Sequence, residues 1–241
     1  MVDVLGLVLW GLLALTDPAG DVPPPGYAWP QAAVYREVGF ADLVGFRLEE
    51  RGGRLWVGFA LDRTPNPAGA PHGFSLVVLA DYVDTGPGGV AVLPGAGFRV
   101  PKGREADLVV VATGWGARAY PLKGGRPVRR AMRREGRWIW VDTGLPPGRY
   151  RHYPVVGIYD PFAPLGFRQP SPAGGLWRPK APAGSPAAVD VLDPGAYARG
   201  VLYPASFLRP YLPALFAAGA ALVFFLWGVG GVLRGRRRAA R

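Results

Sequence analysis

The chain has 241 residues, 49% of them hydrophobic and 19% charged, with 28 basic against 17 acidic side chains and a net charge of +11. That apolar mass excludes a disordered polycation, and the absence of cysteine excludes disulfides, thiolate metal sites and a cysteine nucleophile. Two histidines, with no P-loop, nucleophile elbow or His-Glu-x-x-His motif, point away from an enzyme.

Val4 to Leu15 is a twelve-residue apolar run, the length of a signal-peptide core and too short to span a bilayer. Residues 1–15 therefore read as a signal-like segment, although Asp3 stands where a basic residue is usual; a first core strand is the alternative. From residue 16 to 195 the dominant period is two. Val44, Phe46 and Leu48 alternate, Gly52-Gly53 turns, and Leu55, Val57, Phe59 and Leu61 alternate again. Phe74 to Val83 reads as a long buried strand, and Asp107–Thr113 pairs with Ala117–Leu122 across Gly114-Trp115-Gly116. Val128–Arg134 and Arg137–Asp142 form a further hairpin, and Tyr150–Tyr159 another strand. Short strands with frequent turn signals predict an all-β, antiparallel sandwich. Gly86-Pro87-Gly88-Gly89-Val90-Ala91 imitates a dinucleotide glycine spacing, but Leu93-Pro94-Gly95 stands where a helix must begin.

Residues 161–186 hold seven prolines and read as an extended surface loop, after which Ala187–Leu192 resumes a strand. Residues 196–210 read as a stalk. Leu212–Leu233 carries no charge over 22 positions; at about 1.5 Å per helical residue it matches the roughly 30 Å apolar core of a bilayer. Residues 211–233 are thus expected to form a single transmembrane helix. The arginine-rich tail, 234–241, places the C-terminus in the cytoplasm and the sandwich outside.

Three sets of residues carry candidate chemistry. Trp115, between two glycines at a strand turn, offers a ring for stacking on a ligand, with Trp29 and Trp177 as secondary candidates. Asp17, Asp21 and Asp84 lie beside Gly and Pro in turns, where carboxylates and carbonyls gather round calcium; no other cofactor is indicated. Arg126, Arg129, Arg130, Arg133, Arg134 and Arg137 form a basic hairpin. It lacks the aromatic interleaving of a nucleic-acid site, so no nucleic-acid partner is expected; its use is as a solvated edge that discourages aggregation.

Several motifs in order resemble one family. Asp17-Pro18-Ala19-Gly20-Asp21, then Gly26-Tyr27-Ala28-Trp29-Pro30, Phe40-Ala41-Asp42-Leu43, Asn66-Pro67 with Pro71-His72-Gly73-Phe74-Ser75, Tyr82-Val83-Asp84-Thr85-Gly86-Pro87-Gly88-Gly89, and Val189-Asp190-Val191-Leu192 resemble the C-terminal, DOMON-like domain of glucodextranase, also appended to amylopullulanases. Val22 and Pro23-Pro24-Pro25 depart from its pattern, and Gly174-Gly175-Leu176-Trp177 matches a late motif only loosely. The resemblance implies a DOMON-like sandwich and a non-catalytic module held at the cell surface and binding an α-glucan or envelope glycan, to which the apolar segment 211–233 adds the expected membrane anchor. A structural envelope subunit with a protein partner is the second expectation. Haem held by Met132 and His152, as in wider DOMON relatives, is the third.

Overall fold

Apolar alternation builds eleven antiparallel strands in two sheets over residues 13–193 and 195–205, which the computed structural model describes. They are β1 (Leu13–Thr16), β2 (Leu43–Arg51), β3 (Arg54–Leu61), β4 (Val77–Asp84), β5 (Leu108–Thr113), β6 (Gly116–Pro121), β7 (Val128–Arg130), β8 (Met132–Glu135), β9 (Trp138–Asp142), β10 (Arg151–Ile158) and β11 (Ala188–Val191). One sheet runs β1-β2-β3-β9-β8 and the other β11-β10-β4-β5-β6-β7. The expected membrane helix and basic tail lie outside the described residues. Among the described residues no helix is long and apolar enough to cross a membrane.

Phe46, Phe59, Leu79, Val110, Ile139 and Val156 project between the sheets into one core. The opposite face of the second sheet is buried too: Val78, Ala80, Tyr82 and Val155 pack under Leu93 and Phe98 from the long 85–106 connection, and under Phe167 from the proline-rich loop. The Tyr82 hydroxyl bonds the Pro94 carbonyl and the Tyr153 hydroxyl bonds the Arg104 carbonyl at 2.7 Å, fastening that cover. This explains why all eight residues of β4 are buried and why its sequence reads as an unbroken apolar run rather than an alternation. Residues 196–205, expected as a stalk, pack on the same cover through the short helix α1 (Ala196–Arg199) and buried Leu202.

The outer face of the first sheet is closed differently. Trp138 and Trp140 stack with centroids 5.8 Å apart; the Arg47 guanidinium lies 4.3 Å over Trp138 and that of Arg51 lies 4.1 Å over Trp140. Glu49 and Glu135 hold Arg51 in place at 2.8 and 2.9 Å. Glycine makes this layer possible. Gly58 is the cross-strand partner of Trp140, and a Cβ on Gly58 would meet that ring at 2.7 Å, so the indole lies flat on bare backbone.

The described strands differ from expectation at two places. Leu13 to Leu15, assigned to the signal-like segment, belong to β1: Leu15 pairs with Phe46 and is buried. The single strand expected over Val128–Arg134 is two, because the chain leaves the second sheet at Ala131 and enters the first at Met132. Arg134 secures that crossing, donating to the Gly73 carbonyl at 2.9 Å and to Thr64 Oγ1 at 2.7 Å. Arg129 and Arg130 therefore lie on one sheet and Arg133 and Arg134 on the other, rather than on one solvated face.

Gly58→Ala is expected to cost about 1–3 kcal/mol by overpacking against Trp140. In a Trp140→Ala background the same change should be close to neutral, as measured by chemical unfolding of the four proteins of the cycle.

Candidate functional site

Trp115 is pushed outward by its turn. Gly114 backs so closely on the Phe74 carbonyl that a Cβ would lie 1.7 Å from its oxygen, and Gly116 has φ +136°. Only glycine tolerates both demands. The indole is 48% exposed and stacks on Tyr159 with centroids 5.0 Å apart and planes inclined by 26°. Together they border a cavity of about 470 Å³ on the outer face of the second sheet, lined also by Arg118, Tyr120, Arg129 and Asp160. Arg118 and Arg129 are directly opposed in the β6–β7 register. Both arginines line the cavity, and a guanidinium offers a fork of donors to oxygen ligands.

Trp29 and Trp177 are not among the residues lining this cavity. Trp29 packs on Phe40 with centroids 4.7 Å apart, and Tyr35 links Phe40 to Trp177 at 5.6 and 6.1 Å. Trp177 is exposed with Leu176 beside it. Burial raises the Tyr35 phenol pKa, Arg168 opposes that shift, and Asp160, which also lines the cavity, adds to it.

The acidic candidates also separate. Asp84 is paired with Arg151 at 2.8 Å and accepts the Gly86 N–H at 3.1 Å, so its carboxylate is committed to closing a turn. Asp17 and Asp21 instead meet Asp190 of β11: one carboxylate oxygen from each lies within 4.8 Å of the others. Asp42, just before β2, adjoins them, accepting the Gly20 N–H at 2.6 Å through Oδ2. Asp190 accepts the Leu43 N–H at 2.5 Å and the Val191 N–H at 2.7 Å. Burial first, then the charges of Asp21 and Asp42, push the Asp17 carboxyl up to about 7.

His152 is buried in the inter-sheet core, with Nδ1 2.7 Å from the Asp81 carboxylate. Phe46 and Tyr150 pack against the ring. Desolvation raises the Asp81 pKa, partly offset by His152. Met132 lies on the other sheet and packs at the margin of the same core. A filled core between the two side chains does not fit a macrocycle, and His152 is explained as the partner of a buried carboxylate.

Sequence reasoning singled out Trp115, Asp17 and Asp21 and placed Arg129 only in the basic hairpin, but missed Tyr159, Arg118 and Asp160 in the cleft and Asp42 and Asp190 in the acidic cluster. Asp190 carries a local signal, a carboxylate inside the apolar run Ala188–Val191. The cleft residues carry none, since they meet only through strand pairing and the fold of the 159–166 loop.

The fold is thus an antiparallel sandwich with an open cleft bordered by a stacked tryptophan. The family model of the C-terminal binding module, SLH-like, of glucodextranase matches residues 12–198, and the chain belongs to that family. None of the curated proteins compared matches the chain.

His152→Ala should lower the unfolding free energy by about 3–5 kcal/mol, because it strands a buried carboxylate. Adding Asp81→Asn should recover part of that loss in denaturant titrations. A cost below about 1 kcal/mol would show that the pair does not hold the core.

Proposed function

We propose that the protein is a non-catalytic module that binds polysaccharide, an α-glucan or an envelope glycan, in the cleft between Trp115 and the Arg118–Arg129 pair. The half-exposed indole carries this reading. It is braced by Tyr159 and needs no rearrangement to receive the apolar face of a sugar ring, so little ordering cost opposes binding. The two guanidiniums supply donors for hydroxyl or acidic oxygens. Asp160 is the single carboxylate among the lining residues, whereas glycosidic cleavage ordinarily takes a pair; this supports a site that holds a glycan without cutting it. The uncharged segment 212–233 and the arginines after it support attachment to the cell membrane with the sandwich outside.

Affinity electrophoresis in gels containing dextran, pullulan or an acidic envelope polysaccharide tests the reading. The wild type should be retarded by at least one. Trp115→Ala should weaken retention tenfold or more, about 1.4 kcal/mol, with an unchanged melting temperature. Selective loss in Arg118→Ala on the acidic polymer would assign the anionic class, and mobility unaffected by every polymer would overturn the proposal. Protease added to sealed cells should remove the sandwich, and protection there would refute the surface location.

A further inference from the structure

In a chain with 28 basic side chains, the four carboxylates of Asp17, Asp21, Asp42 and Asp190 converge with no cation among them: none of the ion pairs of the described residues reaches any of the four. Like charges gathered in a partly buried corner repel one another unless something of opposite sign lies between them.

The geometry has the dimensions of a hard divalent ion. Calcium binds oxygen at about 2.3–2.6 Å, so two ligands on opposite sides of it stand roughly 4.6–5.2 Å apart. Oxygens from Asp17, Asp21 and Asp190 all lie within 4.8 Å of one another. The independent pointer is Asp42. It is 1% exposed, its Oδ2 is occupied by the Gly20 N–H at 2.6 Å, and its Oδ1 is enclosed without any hydrogen-bond partner. The bond to Gly20 fixes this carboxylate against the 17–21 turn, beside the three acids whose oxygens lie within 4.8 Å of one another. Asp17 Oδ2 is likewise enclosed and unpartnered. Backbone donors position the cluster, as Leu43 and Val191 hold Asp190, while Asp21 is exposed and leaves an entry from solvent. The donor set is all oxygen, with neither sulfur nor imidazole, which selects a hard cation over zinc or copper.

We propose that Asp17, Asp21 and Asp190, with Asp42 beside them, form a calcium site that fastens the edge strand of one sheet to the edge strand of the other. Asp17 follows β1 and Asp190 lies on β11, the outermost strands of the two sheets on that side. The ion bridges the sandwich where backbone pairing ends. The raised pKa values of Asp17, Asp42 and Asp190, each led by burial and increased by the neighbouring acids, agree with a corner poorly stabilised as bare anions. The site is independent of the glycan cleft.

The test is calorimetric titration of the detergent-extracted full chain with calcium chloride after chelation, with thermal melts in parallel. One calcium per chain and a melting temperature that rises with calcium and falls with chelator are expected. Asp190→Asn should abolish both. Should that variant fail to fold, the exposed Asp21→Asn must weaken calcium binding at least tenfold with the fold intact, while Asp84→Asn leaves it unchanged. Absence of stoichiometric binding, an equal response to magnesium, or full calcium affinity in Asp21→Asn would overturn the proposal.

Discussion

β4 is buried along its whole length, so the second sheet must be covered on both faces, and most of the architecture answers that requirement. Inward, Val77 and Leu79 meet the first sheet; outward, Val78, Ala80 and Tyr82 meet the 85–106 connection and the proline-rich loop. Long connections are ordinarily mobile and polar. Here they carry Leu93, Phe98 and Phe167 as anchors and are tied down by the hydroxyls of Tyr82 and Tyr153. The cleft follows from the same demand, because the 159–166 loop that helps cover this sheet stops short of β6 and β7 and leaves a gap bordered by Trp115.

The first sheet solves its outer face without a covering loop. Tryptophans lie on glycine backbone and arginines lie on the tryptophans. This exchanges aliphatic burial for cation–π contact at a surface that stays charged towards solvent. Such a layer blunts the tendency of an open sheet to associate, and it accounts for part of the arginine excess without invoking a polyanionic partner.

How much was legible in the sequence depended on the range of the interaction that fixes each feature. The β2–β3 and β5–β6 hairpins are local, and alternation with glycine turns located them. The break at Ala131 was invisible because Arg129, Arg130, Arg133 and Arg134 offer no apolar phase to reverse when the chain changes sheets. Leu13–Leu15 misled for the opposite reason: an apolar edge strand and the end of a signal-like run have the same composition. At the sites, Trp115 was readable from its glycines and Asp17 and Asp21 from their turn. Asp42 joins them through the Gly20 N–H, 22 residues away in sequence, and Asp190 reaches across from the other sheet to the Leu43 N–H, 147 residues away, which no local pattern records.

The sandwich keeps two kinds of polar group in its interior under opposite rules. Asp81 and His152 pair inside the core at 2.7 Å, a carboxylate with an imidazole, although Asp81 Oδ1 and His152 Nε2 keep no hydrogen-bond partner there. Asp17, Asp21, Asp42 and Asp190 share one sign when ionised, so they relieve their repulsion only by taking up protons or a cation. The exposed Asp21 gives this group an opening to solvent that the Asp81–His152 pair lacks. The group's position between the edge strands assigns it to holding the sheets together, which leaves recognition to Trp115 on a face the same sheets keep rigid.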